Sequence, residues 1–132
     1  MSLHAHGVVW IDHHEARIIR FTRDDVAEKT VHPAHAAHHL HSHAGSHDGD
    51  KAREDPAFFQ EIGESLAGVQ SLLVGGPANA KTEFVKHLHR HFPDLAKRVA
   101  GVEPMDHMSE GELLAVARHF FKKADREMPH GA

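Results

Sequence analysis

The sequence predicts one α/β domain in which a mixed sheet carries helices on its faces, and three observations support that prediction. Up to Val31 the chain holds three short β-type segments joined by polar turns, the pattern of an antiparallel meander. From Asp55 onward, apolar stripes of helical period alternate with short aliphatic runs, as in parallel strands joined by helices. A chain of 132 residues has the length of one ordinary domain, spanning 1–132, and buries a proper core without staples.

The first segment, Val8-Val9-Trp10-Ile11, runs into the polar turn Asp12-His13-His14-Glu15. Arg17 to Phe21 forms the second, Thr22 to Asp25 a second turn, and Val26 to Val31 a weakly alternating third. The stretch from His32 to Lys51 has no periodicity, contains Pro33, Gly45 and Gly49, and holds seven histidines; it reads as a loop. Asp55 is a good N-cap with Pro56 behind it, and Phe58, Phe59, Ile62, Leu66 and Val69 share one helical face. Ser71 to Val74 is a short buried strand, and Gly75 to Asn79 a tight turn into a helix striped by Phe84, Val85, Leu88 and Phe92. Pro93 interrupts that helix, Asp94 to Ala100 adds another turn or two, and Gly101 to Asp106 carries a final strand. Ser109 and Glu112 form a capping box, opening a helix whose apolar arc runs through Leu113, Leu114, Val116, Ala117, Phe120, Phe121 and Ala124.

Composition narrows the function classes. The 40% apolar and 26% charged fractions belong to a soluble globular chain. The absence of Cys removes disulfides, thiolate metal sites and thiol nucleophiles, and points to a reducing compartment. With neither a signal-type start nor an apolar run long enough for a bilayer, the expected location is cytoplasmic. Histidine is the anomaly, at 17 residues against a formal net charge of −4. At reference pKa values roughly four of them are protonated at pH 7 and about thirteen at pH 6. The chain is therefore no constitutive polycation, yet its attraction to phosphate rises as pH falls.

The second half resembles a known family. The residues that carry the resemblance are Leu72-Leu73-Val74-Gly75, Ala80-Lys81, Phe84, His87-Leu88, Pro93 and Leu95-Ala96. They continue through Gly101-Val102-Glu103, Asp106-His107, Gly111-Glu112-Leu113, Ala117-Arg118 and Phe120-Phe121. Together with the opening Val8 to Asp12 and the His-rich loop, they resemble the small bacterial translational machinery proteins. Those are similar to the third domain of archaeal and eukaryotic class-one release factors and of Pelota. The resemblance implies a three-layer α/β/α sandwich akin to the kink-turn-binding ribosomal proteins. It also implies a role near the ribosome, with the ribosome, its RNA or a translation factor as partner and neither DNA nor membrane. Peptide release in those factors depends on a Gly-Gly-Gln loop in another domain, and this chain has no such tripeptide. Release activity is not expected here.

Four constellations bear on chemistry. His35, His38, His39, His41, His43 and His47 offer imidazoles suited to zinc or nickel. The same tract also reads as a solvated loop that binds metals weakly, or as a phosphate-seeking one. Lys81, Lys86, Arg90, Lys97 and Arg98, with His87 among them, suggest a basic outer helix face for RNA or a partner; a plainly solvated face is the alternative. Gly75 to Thr82 stands where a phosphate-binding loop would, but Ala80 replaces the second glycine and Pro77 removes an amide donor. Asp12 with His13-His14-Glu15, and Asp106 with His107, place acids beside bases without a nucleophile or a third positioned group; both read as turns. The expectation is a non-catalytic binding module that requires no cofactor, with a metal-binding protein as the alternative.

Overall fold

A computed structural model describes residues 5–34 and 56–127. The meander forms as expected: β1 (His6–Ile11), β2 (Ala16–Phe21) and β3 (Val26–Val31) pair antiparallel in sequence order. Helix α1 (Pro56–Ser65) leads into β4 (Ser71–Gly76), and α2 (Ala80–His91) with the short α3 (Pro93–Ala96) leads into β5 (Val99–Pro104). Helix α4 (Glu110–Glu127) follows. The sheet order is β3-β2-β1-β4-β5. β4 runs parallel to β1 and β5 parallel to β4, so the sheet is mixed. The last strand begins at Val99, ahead of the expected Gly101, because Ala96 already ends α3 and Leu72 N–H reaches the Arg98 carbonyl.

Period-two alternation in the central strands divides the core in two. Val9, Ile11, Ile18, Leu72 and Val74 point to one face, where α1, α2 and α3 cover them with Phe58, Phe59, Ile62, Phe84, Leu88 and Leu95. Val8, Trp10, Ile19, Phe21 and Leu73 point to the other, covered by Leu113, Ala117 and Phe121 of α4. The result is a three-layer α/β/α sandwich. β1 is buried on both faces, which accounts for its uninterrupted Val8-Val9-Trp10-Ile11 run.

Local chemistry fixes the ends of the elements. The capping box at α4 is reciprocal: Ser109 N–H donates to Glu112 Oε1 at 2.8 Å, and Glu112 N–H to Ser109 Oγ at 3.1 Å. The turn between β1 and β2 is built by Asp12, whose Oδ1 accepts the N–H groups of His14 and Glu15 at 2.7 and 2.9 Å. Thr22 Oγ1 plays the same part for Asp24 and Asp25 in the next turn. Asp55, the expected cap of α1, lies outside the described residues.

Candidate interaction surface

The glycines of the strand-to-helix turn serve packing. Met105 lies against Gly75, and the Ile11 carbonyl approaches Gly76, whose φ of +155° and crowded surroundings leave no room for a Cβ. Lys81 Nζ folds back onto the Ala78 carbonyl at 2.5 Å.

The five basic residues singled out in the sequence are carried by different parts of the α2–α3–β5 segment. Lys86 and Arg90 are four apart on α2, so they share a face, and both are exposed. Lys86 has Glu83 at 4.0 Å. Lys81 stands nine residues before Arg90, about two and a half turns away, and so sits on the opposite flank of the helix. Lys97 and Arg98 follow α3 and are exposed beside the first residues of β5. Arg98 donates to the Val69 carbonyl at 3.2 Å and lines a groove of about 470 Å³ together with His91, Glu64 and Asp94. Charges of both signs line that groove.

His87 corrects the sequence reading. It does not join Lys86 and Arg90 on the outer face but is buried, only 8% exposed. Its ring packs against those of Phe59, His91 and Phe92, with Nε2 3.4 Å from Gln60 Oε1 across the gap to α1. Burial, helped by His91 and Arg90 nearby, lowers its pKa and so favours the neutral imidazole. His87 and His91 stand four apart on α2, and their rings lie 4.5 Å apart between centroids.

A second polar cluster escaped sequence reasoning. Asp12 and His107, each read separately as a turn residue, face one another, with Asp12 Oδ2 3.8 Å from His107 Nε2. The His107 ring lies over Trp10 at 4.3 Å between centroids. Trp10 Nε1 is shared by the carbonyls of Met105 and Asp106, at 3.2 and 3.1 Å. The Arg17 guanidinium lies 5.9 Å from the same indole, donates to the Met108 carbonyl at 2.8 Å and pairs with Glu15 at 3.3 Å. Glu15 in turn has His32 at 3.7 Å. These contacts latch the segment between β5 and α4 onto the β1–β2 hairpin, at the sheet end from which residue 32 leads into the His-rich segment. The only sequence signal for it was a lone Trp beside two acid–base turns.

Among the described residues no group of three or more His, Asp or Glu is arranged to hold a metal ion. The metal-site candidates His35, His38, His39, His41, His43 and His47 lie outside the described residues. No helix among the described residues is long and apolar enough to cross a membrane.

These features define the chain as a mixed-sheet α/β/α sandwich with a polar latch at one sheet end. No protein-family model matches it, and no curated protein does either. Among solved structures it is similar to Pelota from Archaeoglobus fulgidus, with a TM-score of 0.59 and 17% identity, over 86% of this chain and 30% of that one. Pelota from Thermoplasma acidophilum matches with a TM-score of 0.59 and 17% identity, over 91% and 32%. An archaeal translation termination factor matches with a TM-score of 0.55 and 18% identity, over 82% and 32%. The chain thus spans about a third of the length of these proteins. At such identities the likeness is one of fold, and it agrees with the resemblance read from the residues.

Proposed function

We propose that this chain is a non-catalytic docking module of the translation apparatus that engages ribosomal RNA or a translation factor through the outer face of α2. The supporting observation is the fold, shared over 82% to 91% of the chain with two Pelota proteins and a translation termination factor. Lys86 and Arg90 supply the contact, as two exposed cations on one face of α2. The work is done in the cytoplasm and needs neither a cofactor nor peptide-release chemistry.

Co-sedimentation with ribosomes from lysate tests the reading. The double variant Lys86→Glu, Arg90→Glu should lower the bound fraction by about tenfold at low salt, and added salt should erase the difference from wild type. Equal co-sedimentation of the two proteins at both salt concentrations would refute it.

A further inference from the structure

The two edges of the sheet are protected unequally. β3 closes one edge with charges: Lys29 binds Ser65 Oγ at 2.9 Å and has Glu61 at 3.9 Å, while the Glu28 carboxyl lies near that of Glu110. Charged edge residues of this kind keep other strands away. β5 closes the other edge with Val99-Ala100-Gly101-Val102, a stretch without charge, and no described strand pairs with its outer side. Val102 is 42% exposed, among the most exposed large apolar side chains described. Phe120 of α4 packs onto Gly101 on one face, and Val116, one turn earlier on α4, is 37% exposed.

The charges sit at the two ends of this strand, and in opposite sense. Lys97 and Arg98 precede it; Glu103 and Asp106 end it; all four are exposed. Such a sequence is complementary to itself when two copies run antiparallel. Pairing about a two-fold axis at Gly101–Val102 brings the basic start of one copy's strand, after Lys97 and Arg98, towards the acidic end of the other's, at Glu103 and Asp106. Directly facing and diagonal side chains are within reach of such long residues. The operation is closed, so it gives a dimer rather than a fibre. From these features we infer that β5 is the interface of a homodimer, in which two five-stranded sheets join edge to edge into one. The ladder is short, because a bulge at Ala100, between the partners of Leu72 and Leu73, bends its start and Pro104 lacks the N–H to extend its end. Association is accordingly reversible and set by concentration. Lys86 and Arg90, on α2, take no part in it, so this inference stands or falls independently of the docking proposal.

Sedimentation velocity over about a hundredfold range of protein concentration reads the equilibrium directly. Wild type should pass from monomer to dimer, with the transition moved to higher concentration by salt. Val102→Asp and Lys97→Glu should each weaken association about tenfold or more while circular dichroism and melting stay those of wild type. Combining Lys97→Glu with Asp106→Lys restores the complementarity in reversed sign, and should recover the dimer. A wild type that remains monomeric throughout the range overturns the inference, whether or not the edge accepts a strand from another protein. A dimer indifferent to both single substitutions, or one that the charge swap fails to rescue, overturns it equally.

Discussion

The two faces of the sheet are held in different ways. Under α1, α2 and α3 the cover is a broad apolar layer in which aromatic rings interlock and the one buried polar ring among the described residues, His87, has its pKa lowered by burial. Under α4 the apolar cluster is smaller and is closed at the strand ends by polar contacts to backbone carbonyls, from Trp10 and Arg17. Apolar area dominates the first face, whereas the second depends more on a few directional groups. Substitutions of similar size should therefore have different consequences on the two.

The largest effect is expected at Trp10, where both kinds of support meet. Trp10→Ala should cost about 3–5 kcal/mol in urea unfolding, by leaving a cavity beneath α4. Trp10→Phe keeps most of the area but strips the donor from the Met105 and Asp106 carbonyls, so it should lose less globally. It should still speed hydrogen exchange in residues 105–109. Phe84→Ala on the opposite face should cost a similar amount and leave exchange in that segment unaltered; equal local effects from the two would erase the contrast between the faces.

Arg17 isolates the polar half of the comparison. Its side chain is partly exposed, so Arg17→Met retains the stem and removes the donation to Met108 and the pair with Glu15. A loss of about 1–2 kcal/mol is expected, with faster exchange confined to the latch. A variant that loses stability without loosening residues 105–109 would show that Arg17 acts by packing on Trp10 alone.

The smallest effect concerns pH. The folded-state pKa of His87 lies below 6.5, so the unfolded chain binds its proton more readily as pH falls. The stability that comes from a neutral His87 is thus fully present above pH 6.5 and is lost as pH falls from there towards the folded-state pKa. His87→Gln should flatten that part of the stability–pH curve relative to wild type, as measured by urea unfolding at several pH values. A curve of unchanged slope would mean that the other histidines, not this one, govern the acid limb.

The fold was legible because its rules are local. Polar turns at Asp12 and Thr22, the Ser109–Glu112 box and the stripe through Phe84 and Leu88 each act within a few residues, and each appears where the spacing placed it. The site was less legible because it depends on which residues meet across the sheet. Nothing in the spacing of His87 distinguishes a ring turned towards Gln60 from one beside Lys86, since helix α1 decides that. In the same way Asp12 and His107 are 95 positions apart in sequence, and only the β1–β4–β5 order brings them together. Among the five cations, Lys81 lies on the flank of α2 away from Arg90, and Lys97 and Arg98 follow α3, placements that depend on where each helix ends.

The order of the strands has a cost during synthesis. The ribosome delivers β1 first, yet β1 is the middle strand, and its parallel neighbour β4 and the covering helix α4 come much later. Until they emerge, the nascent chain holds a three-stranded hairpin array with Val8, Val9, Trp10 and Ile11 uncovered on one side or the other. Parallel pairings between distant segments close slowly. The faces of the most apolar strand therefore stay uncovered until the later segments have been made.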